Sequence, residues 1–234
     1  MKTRLLIILF LALSLSFNLY AQNIKYGLVA GIAYPSLSIR NVNDDRCEIE
    51  TSAISAFHIN GFVSFKSNSW WEISLEPGYN QKGGRVNFTF RHESGLINNI
   101  KANKKYDTVE LPILLNSYIS SKFYLSSGIN LILYTDTDYD QNWQSSNPMG
   151  NSVYTISTRN LLPNYEKRLN CSGVFGLSYQ LTDVLDLSVR YQLGFTKIMQ
   201  IDLLNAFVVN TNLPKAYCSV YCNSFQLSLK YKIN

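Results

Sequence analysis

Phe225-Gln-Leu-Ser-Leu-Lys-Tyr-Lys-Ile-Asn234 alternates apolar and polar residues without an error. Phe225, Leu227, Leu229, Tyr231 and Ile233 fall on one face, and Gln226, Ser228, Lys230 and Lys232 on the other. Side chains of a strand point alternately to its two sides, so this is a strand with one apolar and one polar surface. A soluble protein turns the apolar surface to its core. A transmembrane barrel turns it to lipid and keeps the polar surface inside.

Working outward, the same alternation recurs seven more times. Lys25 to Tyr34 sets Tyr26, Leu28, Ala30, Ile32 and Tyr34 against Lys25, Gly27, Val29, Gly31 and Ala33. Further strands are expected at Phe57–Lys66, Trp71–Asn80, Thr108–Ile119, Phe123–Tyr134, Cys171–Leu181 and Leu185–Thr196. Pro77 and Pro112 each remove a ladder donor, so a bulge or strand end is expected near both. Most segments are about ten residues, the length a tilted strand needs to cross a bilayer.

The connections alternate in length. Residues 67–70, 120–122 and 182–184 are tight and polar, whereas 40–51, 82–105, 135–168 and 197–223 read as long loops. That layout predicts an all-β, eight-stranded antiparallel up-and-down transmembrane β-barrel with short periplasmic turns and long extracellular loops. Both termini would be periplasmic, and the localisation is the cell outer membrane. A soluble barrel would have to take roughly forty apolar side chains inside, and eight strands enclose far too little room. Glu72, Glu76, Glu110, Asp186, Arg190, Lys230 and Lys232 would then line the lumen. They are expected to form an ion-pair network that fills it, since charges buried without partners cost too much. A gated ion path is the sharper reading of the same residues. Tyr26, Phe65, Trp71, Phe123, Tyr179 and Tyr231 mark one membrane interface, and Tyr34, Phe57, Tyr79, Tyr191, Phe195 and Phe225 the other.

The N-terminus supports export. Lys2 and Arg4 precede the apolar run Leu5–Leu15, and Ala21 offers a small residue before Gln22, which reads as a secretory signal peptide over 1–21. The barrel domain is then 22–234. Losing Lys2 and Arg4 from 21 basic residues leaves 19 against 16 acidic, too small and scattered an excess for nucleic acid. Cys47, Cys171, Cys218 and Cys222 would enter an oxidising compartment, where disulfides form. Four cysteines allow three connectivities, and closeness in sequence suggests Cys218 with Cys222, leaving Cys47 with Cys171. Zinc is the competing reading, but the chain has no Cys-x-x-Cys and its two histidines are remote.

Gly27-Leu-Val-Ala-Gly31, Ser74-Leu-Glu-Pro-Gly-Tyr-Asn-Gln-Lys-Gly83 and Val109-Glu-Leu-Pro-Ile-Leu-Leu115 resemble the PorT-type outer-membrane β-barrel family of Bacteroidetes. The stretch Gly173–Phe195, the closing strand and Leu19-Tyr-Ala-Gln22 extend the resemblance. It implies an OmpA-like eight-stranded barrel inserted by the outer-membrane assembly machinery, with Phe225, Leu227, Leu229 and Tyr231 in its C-terminal recognition signal. It implies no catalytic residues and no cofactor. The named member of that family serves type IX protein secretion, so an accessory secretion barrel is the alternative role. This chain departs from the pattern in its cysteines and its third long loop.

Three motifs invite chemistry. Asp136-Thr-Asp-Tyr-Asp140 starts like a calcium loop, but Gln141 stands where glycine is needed and Asn147 where the bidentate Glu belongs. His92-Glu-Ser94 and His58 are the histidine candidates for a barrel protease or acyltransferase, yet a linear run is no triad. Trp143, Tyr139, Tyr154, Tyr165, Leu161, Leu162 and Ile201–Val209 place apolar groups in the loops 135–168 and 197–223. They suit contact with a protein or glycan partner, or packing of loops and of strands prolonged beyond the membrane, as at Ser152–Thr158. The expectation is a non-enzymatic barrel whose partners are outer-membrane lipid, the assembly machinery and a ligand met by these loops.

Overall fold

The computed structural model describes residues 24–40, 47–66, 70–91, 97–147, 150–156, 169–202 and 217–233. The expected signal peptide and His92-Glu-Ser94 lie outside these residues. Every described element is a strand: β1 (Ile24–Arg40), β2 (Cys47–Ser52), β3 (Ala56–Lys66), β4 (Trp71–Leu75), β5 (Gly78–Arg91), β6 (Ile97–Tyr118), β7 (Phe123–Asn147), β8 (Gly150–Ile156), β9 (Leu169–Gln180), β10 (Leu185–Gly194), β11 (Met199–Asp202) and β12 (Tyr217–Ile233).

All pairings are antiparallel, and they close a ring of β1, β3, the β4–β5 pair, β6, β7, β9, β10 and β12. Counting β4 and β5 as one interrupted strand gives eight. The terminal strand seals the ring, pairing β1 from Tyr26↔Ile233 to Arg40↔Ser219. Ile24 and Ile233 both lie at the end that carries the short turns.

The two prolines share one fault line. The break between β4 and β5 falls at Glu76-Pro77, as the sequence led one to expect. Pro112, in contrast, sits inside a continuous β6. Its carbonyl accepts from Glu76 N at 3.0 Å. A strand residue's N–H and C=O point toward the same neighbour, so the donor Pro112 lacks would face the gap that Pro77 opens. The irregularity in β6 comes instead at Asp107/Thr108, where the register with β7 shifts.

The outside of the belt is apolar. Among the described residues, 31 large apolar side chains are exposed, including Leu28, Ile59, Ile129, Leu177 and Leu229. A soluble monomer does not expose a continuous apolar surface of that extent; hydrocarbon must cover it. Phe225, Leu227, Leu229 and Tyr231 all lie on this face of β12. Rings meet at both margins, with Phe123 and Tyr179 centroids 4.6 Å apart near the short turns. Toward the long-loop end, Phe57 and Tyr79 lie 5.6 Å apart.

Where the expected long loops are described, they are largely sheet. β6 has 22 residues and β7 has 25, about twice what a crossing requires. β5 and β6 stay paired up to Arg91↔Ile97, β2 adds to β5, β8 adds to β7 and β11 adds to β12. Asp136–Asp140 therefore lies within strand β7, opposite Asn103–Asp107, and does not form a loop that could wrap a cation.

Above the belt the pattern inverts. On β5, Arg85, Asn87 and Thr89 face out while Val86 and Phe88 are buried. On β6, Lys101 and Asn103 face out while Ala102 and Tyr106 are buried. Leu37, Val220, Ile198 and Tyr134 complete this apolar interior. Gly83 sits at the change of storey with φ 136°, a conformation that L side chains rarely adopt. A Cβ there would also lie 1.9 Å from the Lys104 carbonyl.

Candidate functional site: the lumen and its rims

Inside the belt, alternate residues of eight strands converge on a narrow lumen. Small residues make the charged ones fit: a Cβ on Gly176 would meet Arg190 Cγ at 2.7 Å. Ser64, Ser74, Ser126, Ser178, Ser188 and Ser228 are all buried among the ionised groups.

The charges stack in three tiers. Nearest the short turns, Lys232 pairs with Asp186 at 2.7 Å, and Tyr124 donates to the same carboxylate at 3.0 Å. Glu72 lies at this level and accepts from Tyr118 Oη at 2.9 Å and Asn116 Nδ2 at 3.3 Å. In the middle, Arg190 grips both oxygens of Glu76, one at 3.1 Å and the other closer, while Lys230 reaches Glu76 at 3.5 Å. Lys230 also sits 4.0 Å over the Phe62 ring. The third tier joins Glu110 to Lys82 at 3.0 Å, with Asn130 donating at 2.6 Å and Thr108 at 3.1 Å. Gln192 accepts from Lys82 as well.

Among the described residues, Lys82 pairs with Glu110, Arg190 and Lys230 share Glu76, and Lys232 pairs with Asp186, while Glu72 stands opposite Lys66 in the register. An ion path through a barrel wants charges left free to meet the ion, and in this lumen Glu76, Glu110 and Asp186 are each engaged by a cation. Buried pairs of this kind are held by geometry and by hydrogen bonds to their remaining lone pairs. Glu76, with Arg190, Lys230 and Ser74 around it, meets that requirement most completely.

Lys82, Asn130 and the tyrosines were not in the charged set read from the sequence. Lys82 falls at the start of the expected long loop 82–105. The signal was present, because carrying the inward parity of Asn80 forward by two residues lands on it. His58 is inward, and its Nε2 shares a hydrogen bond of 2.9 Å with Ser228 Oγ. This His–Ser contact lacks a third group, since His58 Nδ1 is buried and unpartnered. It stands between the middle and third charge tiers, near Arg190, Glu110, Lys82 and Glu76.

The cysteine pairing expected from the sequence is not formed. Cys218 and Cys222 lie on one strand, both facing in, and four strand residues span roughly 13 Å. A disulfide needs Cα atoms within about 7 Å. Cys171 and Cys222 are free thiols, so Cys171 does not bridge Cys47 either. Cys171 is on β9, facing out opposite Leu131, whereas Cys47 is on β2 beside Phe90. Proximity along the chain misled because the expected loop is strand.

Where the belt ends, Lys104 is buried 5.3 Å from the Tyr106 ring, and burial pushes its ammonium pKa down to about 8. Tyr106 and Tyr134, both buried, pack edge to face with centroids 5.2 Å apart inside the barrel at this level. The opposite mouth holds a cavity lined by Lys25, Lys66, Trp70 and Tyr118.

A closed eight-stranded ring with lipid outside and paired charges inside defines an integral outer-membrane β-barrel. The chain belongs to the family described as the outer membrane protein beta-barrel domain, whose family model matches residues 20–200. Comparison with curated proteins gives no match. Among solved structures it is similar to the outer membrane protein OprG of Pseudomonas aeruginosa, at 12% identity and a TM-score of 0.46. That match covers 91% of this chain and 96% of the other. It is also similar to Ail, the attachment invasion locus protein of Yersinia pestis, at 12% identity over 90% of this chain and 99% of that one, TM-score 0.41. Neisserial surface protein A is similar at 12% identity, covering 89% and 97%, with a TM-score of 0.37.

Proposed function

We propose that this protein is a non-enzymatic surface barrel that uses the membrane belt as an anchor and the sheet above it as a contact platform. The observation that carries this reading is a lumen tied across by ion pairs beneath a sheet that outlasts the membrane. Three charge tiers cross the belt and Tyr106 packs on Tyr134 above them, while β5, β6 and β7 continue well beyond the apolar band. A pore would need the first feature absent; an anchored platform needs both. In this reading the short turns and both termini face the periplasm, and the extended strands face outside. The residues of 135–168 and 197–223 meet a protein or glycan there. Phe225, Leu227, Leu229 and Tyr231 present the outward aromatic pattern through which the assembly machinery would recognise β12.

Planar bilayers seeded with purified protein should show no stable conductance; steady steps on the nanosiemens scale would refute a plugged anchor. Crosslinking from cysteines placed at Arg85, Lys101 or Asn103 in native membranes should capture a reproducible partner. The resemblance of the motifs around Glu76 and Glu110 to the PorT-type family supports a second reading, an accessory barrel in protein secretion. Capture of a secretion component in that experiment would favour it.

A further inference from the structure

Two hollows at the short-turn rim share a wall. The inner one holds about 460 Å³ between Lys25, Lys66, Trp70, Tyr118, the Ser120-Ser121 turn and Gln180. The outer one holds about 500 Å³ against Trp70, Trp71, Leu115, Ser117 and Tyr118. Trp70 and Tyr118 border both, tied by a hydrogen bond from Tyr118 N to Trp70 O at 2.8 Å.

Their chemistry differs in a directed way. The inner hollow is lined by two ammonium groups and no carboxylate. Lys66 Nζ stands 4.3 Å over the Tyr118 ring, which positions the charge without neutralising it. Among the described residues neither lysine has a carboxylate within ion-pair distance. Of the nearby carboxylates, Asp186 is held by Lys232 and Tyr124, while Glu72, hydrogen-bonded by Tyr118 and Asn116, stands opposite Lys66 in the register and attracts Lys25, so one carboxylate serves two lysines. The outer hollow is apolar and opens on the lipid side, where Ile73 and Leu115 are exposed and Trp70 is 70% exposed. The belt ends here, so the headgroup plane of the adjoining leaflet falls at this rim, where indole rings settle.

Two cations that share one carboxylate on one side of a shared wall, and an apolar groove on the other, match a single amphiphile. We propose that this rim binds one anionic phospholipid of the adjoining leaflet. Its phosphate sits between Lys25 and Lys66, and the start of an acyl chain lies against Trp70, Trp71 and Leu115. The charge complementarity selects the lipid class, and the groove selects a lipid over a soluble anion.

The test is native mass spectrometry of the folded barrel in detergent, titrated with phosphatidylglycerol and with phosphatidylcholine of the same chains. Several-fold stronger retention of the anionic lipid is expected. The Lys25→Gln/Lys66→Gln variant should lower that preference to near unity, and Lys25→Arg/Lys66→Arg should keep it. Phosphatidylglycerol with brominated chains should quench the indoles of the unaltered protein, with most of the quenching lost in Trp70→Phe/Trp71→Phe. Equal retention of the two lipids by the unaltered protein overturns the proposal, whatever the variants do. So does a preference that survives in the double Gln variant. Full displacement by glycerol phosphate without acyl chains also overturns it, because the ligand would then be a soluble anion.

Discussion

The membrane belt and the storey above it are built from the same strands with opposite rules. Along β6, Glu110 and Thr108 point into the lumen and Val109 points to lipid; a few residues on, Ala102 points in and Lys101 points out. β12 does the same, with Lys230 inside and Leu229 outside below, and Val220 inside and Ser219 outside above. Side-chain parity never changes along β12, so the backbone is indifferent and the solvent decides. Hydrocarbon outside drives polar groups to the axis, where they must pair. Water outside drives apolar groups to the axis, where they need only pack. One chain thus carries an inverted and an ordinary barrel in tandem, joined at Gly83.

That contrast predicts different responses to damage. Glu76→Gln should be the most costly change, because it leaves Arg190 and Lys230 buried without their carboxylate. A loss of about 4 kcal/mol is expected in urea unfolding from lipid vesicles. Adding Arg190→Gln should return part of it, which a double-mutant cycle would read as coupling. If Glu76→Gln proves neutral, the middle tier does not hold the belt together.

Phe88→Ala in the upper storey should cost about 3 kcal/mol by leaving a cavity. The loss should stay local. Hydrogen exchange should quicken in β5 and β6 beyond Gly83, while amides of the belt keep their protection. Exchange rising equally in both storeys would show them to be one cooperative unit.

The outward faces give the third test. Leu229→Arg, at the middle of the belt on β12, should cost about 2 kcal/mol by bringing charge into hydrocarbon. Asn103→Arg, outward on β6 above the belt, should change stability by less than about 0.5 kcal/mol. A comparable penalty at both sites would place the bilayer higher on the barrel than the apolar band suggests.

Much of this was legible from residues alone. The strand faces, the inward carboxylates and the aromatic margins follow from a period of two and a count of eight. The length of the upper sheet was not. Residues 82–105 are polar on their outer face and interrupted by Gly83-Gly84, so they resemble a loop unless the inner apolar residues, Val86, Phe88 and Ala102, are read separately. The cysteines failed for the same reason, since Cys218 and Cys222 are neighbours only if the chain turns between them.

The sequence by itself determined which side of each belt strand meets lipid, because alternation is a local property that any strand expresses. Only closure of the ring decided which charges meet. Arg190 and Glu76 stand 114 positions apart along the chain, and whether they share a tier depends on the stagger of strands around the axis. Glu110 accordingly pairs with Lys82 rather than with a cation of β10 or β12. Periodicity is written one strand at a time, but registry across a lumen is a sum over all eight.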